Sequence, residues 1–212
     1  VNGVVWATSQ ILQLLANDRD ALERSERVLE RAGDPRLAQT LEYHAQVAAN
    51  PAEKAKVLRR LAALGDADPA VALRRWEALL AVAPTDRDAL TAVAAAYEQE
   101  QRWPELAGVL ERLDASTPLP AADTPEAALR VHELERYADV VDTQLGDANR
   151  ATRAWQRVLE LAPHHRRGLT CLARLHRGAG RFRELADVLR TQVELLSRTD
   201  KAAAIAAAQE RA

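Results

Sequence analysis

The chain has no methionine, one cysteine, one phenylalanine and only 4% aromatics among its 212 residues. A lone thiol, Cys171, excludes an internal disulfide framework and a cysteine-based zinc site, since both need several thiols. Nothing in the sequence therefore calls for an oxidising compartment. Glycine is also scarce, at 8 residues, and none is arranged as a phosphate-cradling loop between a strand and a helix, which argues against nucleotide hydrolysis. There is no His-Glu-x-x-His and no spaced set of Cys and His, so no metal or other cofactor is expected. No run of about 18 uninterrupted apolar residues occurs, and the start lacks the basic and apolar regions of a signal peptide. The expectation is a soluble chain, with the cytoplasm as the compartment. The missing initiator and an end inside the helical run 201–212 predict an excerpt from a longer polypeptide, so a signal or anchor elsewhere stays open.

What is present points one way. With 48% hydrophobic and 28% charged residues, the chain lies outside the composition range that stays disordered. Ala (44) and Leu (30) dominate, and their strong helix propensity predicts an all-helical protein. Arginine outnumbers lysine 26 to 3, which together with the alanine content suggests a GC-rich, bacterial genome. The 29 basic and 31 acidic side chains leave a net charge of −2, against a general attraction to nucleic acid or an anionic membrane.

Sliding the chain against itself reveals a repeat. At an offset of 79 residues, Asp68–Leu113 aligns with Asp147–Gln192 without a gap, and 17 of the 46 positions are identical. Trp76 and Trp155 stay in register, as do Ala83-Pro84 and Ala162-Pro163, and Val109-Leu110 and Val188-Leu189. Composition alone does not keep Trp and Pro aligned. Self-similarity of this kind signals a solenoid, in which each unit buries its apolar face against its neighbours. Ala151, Trp155, Val158 and Leu159 lie on one helical face, and Pro163 closes that helix. Leu169, Leu172, Ala173 and His176 make a second face, Gly178 and Gly180 a stop, and Phe182 opens a third helix through Leu185, Val188 and Leu189. Helices are also expected over 11–15, 22–29, 37–49, 51–64 and 125–145, with 118–125 as a long loop between helices. The organisation expected is 1–50 as degenerate helical repeats, 51–124 and 125–198 as two super-repeats, and 199–212 as the truncated start of another, all one solenoid.

These residues resemble the tetratricopeptide repeat, a helix pair of about 34 residues. Ala151, Trp155, Val158 and Pro163 match its second-helix pattern; Leu169, Leu172, Ala173 and His176 match the next first helix. The earlier copy matches with Ala72, Trp76, Leu79, Pro84, Leu90, Val93, Ala94 and Tyr97. The pattern departs where Ala94 and Ala173 replace the contact glycine and His176 the usual tyrosine. The resemblance implies a right-handed α-solenoid of antiparallel helix pairs. It also implies a concave groove lined by each first helix, which here carries over to Arg167, Thr170, Arg174 and Arg177. The same slots hold Asp88, Thr91, Ala95 and Glu98 in the earlier copy.

Charge is unevenly distributed. Residues 149–198 hold 11 arginines and 4 acidic residues, a balance of +7, whereas residues 1–148 balance at −9. Arg167, Arg174 and Arg177 fall near one helical face, a row of guanidinium groups suited to carboxylates. The competing reading is a solvated arginine face. Nucleic acid is disfavoured because no base-stacking aromatics interleave the arginines. The function expected is a non-catalytic scaffold that binds a protein or an acidic peptide. Two alternatives stay open: a recruiting or regulatory segment of a larger multidomain enzyme or signalling protein, and head-to-tail self-association. His164, His165 and His176 make a weak metal cluster better read as solvated or packed histidines. Cys171 reads as a small helix residue, and Trp76, Trp103 and Trp155 as wedges between helices. Trp6 reads as a chain end or a contact to a preceding unit.

Overall fold

A computed structural model describes residues 19–118, 120 and 124–209, and the expected helix over 11–15 and Trp6 lie outside them. The described residues form an all-α protein. Helices α1 (Arg19–Ala32), α2 (Arg36–Val47), α3 (Pro51–Ala63), α4 (Pro69–Val82) and α5 (Arg87–Gln99) belong to one compact unit, Val1–Gln101. The second unit, Arg102–Ala212, holds α6 (Trp103–Ser116), α7 (Pro125–Asp139), α8 (Ala148–Leu161), α9 (Arg166–Gly178) and α10 (Phe182–Gln209). This division falls inside the expected super-repeat 51–124, and not at its borders. The Ala-rich run 202–208, expected to start a further repeat, continues α10 without a break.

Local chemistry sets the helix ends. Asn50, Asp68, Asp86, Thr124 and Asp147 each accept a backbone N–H of the first turn, the usual role of a short polar N-cap. Proline stands in the first turn of α3, α4, α6 and α7, where no N–H is lost. Gly180 ends α9 with φ +68°, and its repeat mate Gln101 takes the same left-handed turn at φ 56° without a glycine.

Successive helices within each unit pack against one another. Their short connections make neighbours antiparallel. The apolar faces predicted from periodicity are the buried ones: Leu90, Val93, Ala94 and Tyr97 on α5, and Leu169, Leu172, Ala173 and His176 on α9. Trp155 is fully buried, with Gly168 of α9 so close that a Cβ there would lie 3.2 Å from Leu159 Cδ2. Its mate Trp76 is half-buried, as is Trp103.

Within each unit, ion pairs join alternate helices. Arg60 of α3 binds Glu26 of α1, Arg75 of α4 lies 3.3 Å from Glu42 of α2, and Arg59 of α3 binds Asp86 at the start of α5. In the second unit, Arg150 and Arg157 of α8 reach Glu111 (2.7 Å) and Asp114 (3.0 Å) of α6. Apolar burial holds each helix on its neighbour, and this charged lacing fixes the register between alternate helices.

Candidate functional site

The α9 row is the site singled out by sequence. Arg167, Thr170, Arg174 and Arg177 all lie on its exposed face, opposite the buried Leu169, Leu172 and Leu175. Two of the three guanidinium groups already have partners. Arg167 lies 2.7 Å from Asp139 Oδ1, and Arg174 binds Asp142. Both keep more than half of their side-chain surface in solvent, 57% and 61%. The Thr170 hydroxyl donates to the Arg166 carbonyl at 2.9 Å, as a helix-surface threonine commonly does.

The carboxylates come from α7 and from the irregular turn that ends it. After Asp139, α7 widens into a π-helical turn over Val140–Gln144, in which the Leu145 N–H donates to the Val140 carbonyl at 3.1 Å. The extra residue such a turn takes up changes which side chains face the neighbouring helix, and π turns are frequent at functional sites. Here Glu135, Asp139 and Asp142 face His165, Arg167 and Arg174 in succession. Burial raises the Asp139 carboxyl above its ordinary value; Arg167 opposes this, and the nearby Glu135 and Asp142 add to it. Sequence reading missed this acidic face, although its members stand at i, i+4 and i+7, because the arginines they meet lie 28 and 32 positions further along the chain.

Arg167 also stands over Trp155, its guanidinium carbon 5.7 Å from the ring centroid. One face of the buried indole thus meets a cation, which stabilises both and holds the Arg167 stem in place. Trp155 is a wedge between helices, as its spacing predicts.

The three clustered histidines have separate roles. His165 caps α9 through Nδ1, which accepts the Gly168 N–H at 3.2 Å, while its Nε2 lies 3.3 Å from Glu135. His176 is buried in the core, and His164 is exposed. Among the described residues no group of three or more His, Cys, Asp and Glu is placed to hold a metal ion. Cys171 is half-buried, and burial followed by the Asp142 charge pushes its thiol pKa up, so the unreactive protonated form is favoured.

A second polar centre went unnoticed in the sequence. Glu26 of α1 is 1% exposed and holds both His44 Nδ1 of α2 and Arg60 of α3. His44 Nε2 lies 3.4 Å from Glu53 Oε1, and Glu53 in turn accepts the Ala49 N–H at 2.9 Å. Three helices are pinned by one network whose groups all have partners, which is how a buried charge becomes tolerable. The residues are 18 and 34 positions apart, a spacing that no local motif would flag.

No protein-family model matches the chain, and no curated protein matches it. Among solved structures it is similar to a crystal structure of MamA, with TM-score 0.44 and 14% identity over 83% of this chain and 96% of that one. A MamA AMB-1 structure gives TM-score 0.47 and 20% identity over 83% and 90%. MamA from Desulfovibrio magneticus RS-1 gives 0.41 and 15% over 86% and 95%.

Proposed function

We propose that the chain is a non-catalytic protein-interaction scaffold, a right-handed tetratricopeptide-like solenoid that holds an acidic segment of a partner against α9. The observation behind this reading is the row of Arg167, Arg174 and Arg177 on one exposed helical face, next to Thr170. Asp139 and Asp142 orient the first two guanidinium groups and leave their outer N–H groups free for another carboxylate. Orientation lowers the entropy lost when a ligand binds. Each exposed charge pair contributes only about 0.2–1 kcal/mol, so several must act together and the affinity will fall with salt.

Fluorescence anisotropy with a labelled Glu- and Asp-rich peptide tests the reading. The expected result is saturable binding that weakens as salt rises and drops at least tenfold in an Arg167→Glu, Arg174→Glu, Arg177→Glu variant. Equal affinity in the variant removes the assignment.

A further inference from the structure

The two copies of the repeat differ at the seam between alternate helices, and the difference opens a groove. In the later copy, Arg150 and Arg157 of α8 cross to Glu111 and Asp114 of α6 and span the seam. Their mates 79 positions earlier, on α4, are Val71 and Ala78, which are too short and apolar to cross. A groove of about 540 Å³ results between α2 and α4, with Leu58 and Leu61 of α3 and Ala45 of α2 among its lining residues. That volume is within the range of about 300–1,000 Å³ typical of ligand pockets.

The rim carries charge of one available sign. Glu42 and Arg75 are already engaged with each other at 3.3 Å. Lys54 and Arg74 also line the groove, and neither has a carboxylate partner among the described residues. The lining is thus mainly apolar, flanked by two free cations. Both walls are helices with no sheet edge to extend, so β-strand addition is not available. An amphipathic helix laid along the seam is the mode that fits, with apolar anchors spaced i and i+4.

We propose that this groove is a docking surface for an amphipathic helix of a partner protein, one whose apolar side chains enter between α2 and α4 while its flanking carboxylates meet Lys54 and Arg74. The surface lies on other helices than the α9 arginine row and stands or falls separately from it. In the later copy Arg150 and Arg157 span the corresponding seam to Glu111 and Asp114.

The test uses two fluorescein-labelled helical peptides, both with leucine at i and i+4, one with glutamate and the other with lysine at the remaining positions. The glutamate peptide is expected to bind the intact chain at least tenfold more tightly than its lysine twin. Ala78→Arg, which copies Arg157, should weaken that binding at least tenfold; Ala78 is exposed, so circular dichroism should show the same helix content. Lys54→Glu with Arg74→Glu should reverse the preference between the peptides. The α9 triple variant should leave the affinity unchanged. The proposal is overturned if neither peptide binds, if both bind equally, or if Ala78→Arg binds like the unmodified chain.

Discussion

The seam between α6 and α8 is crossed by two arginines, Arg150 and Arg157, whereas the seam between α2 and α4 is crossed by Arg75, with Val71 and Ala78 at the positions of the other two. Yet both copies bury apolar side chains at equivalent positions of these helices. Leu79 and Leu80 of α4 are buried, and of their mates on α8, Val158 is buried and Leu159 half-buried. Positions 71 and 78, with their mates 150 and 157, lie toward the outside, where burial does not constrain them. A repeat can therefore change its outer side chains without disturbing the helix stack. In one unit the change adds two ion pairs between alternate helices; in the other it leaves a groove with apolar residues in its lining.

The copies also differ inside, and tryptophan gives the largest expected effect. Trp155→Ala should lower stability by about 3–5 kcal/mol, the range for deleting a buried aromatic. The half-buried Trp76→Ala should cost about half as much, measured by chemical denaturation. Equal losses would mean that the difference in burial has no energetic consequence.

Among the described residues, Glu26 in the first unit and Arg130 in the second are buried charges, and these should respond next. Glu26→Gln removes the charge facing His44 and Arg60 in the first unit. Asp114→Ala leaves the buried Arg130 with Glu133, 2.8 Å away, as its remaining carboxylate in the second. Both should cost about 1–3 kcal/mol, because a buried polar group that loses its partner keeps the cost of its desolvation. A thermal melt in which either variant matches the parent would contradict the pinning role of that centre.

Helix caps give a smaller effect with a defined pH dependence. Asp86 and its mate His165 occupy the same N-cap position. Burial works against the Asp86 carboxylate, but the Ala89 N–H and Arg59 outweigh it and hold its pKa below 3.8. Because the folded value is the lower one, the stabilisation is complete above the ordinary carboxylate range and is lost as pH falls through the folded value. Asp86→Ala should therefore cost about 1 kcal/mol at neutral pH, and the gap between variant and parent should close in acid. A gap that persists at the lowest pH would show that packing, and not the ionised cap, is responsible. Least visible will be Cys171, whose alkylation by iodoacetamide should rise at higher pH than that of a free thiol.

Much of the fold was legible. Period 3.6 placed the buried faces of α5 and α9, and the helices expected from positions 51 and 125 begin at Pro51 and Pro125. Candidate arginines were legible as a row on one face, but not as partners of Asp139 and Asp142. Those carboxylates are 28 and 32 positions away in the chain, and the tertiary fold brings them to α9. The Glu26 centre was illegible for a related reason: its members meet across three helices. The groove between α2 and α4 was equally hidden, since Val71 and Ala78 look like ordinary helix residues until their mates are seen crossing a seam.

By itself the sequence determined the secondary structure, the repeat and the apolar stripe of each helix, because propensity, capping and periodicity act over a few neighbouring residues. Tertiary structure decided which charges neutralise one another, which cations stay free and where a surface opens. Those outcomes depend on distances between helices that are far apart in the chain. Side-chain reach across a seam settles them, as Arg157 spans what Ala78 cannot.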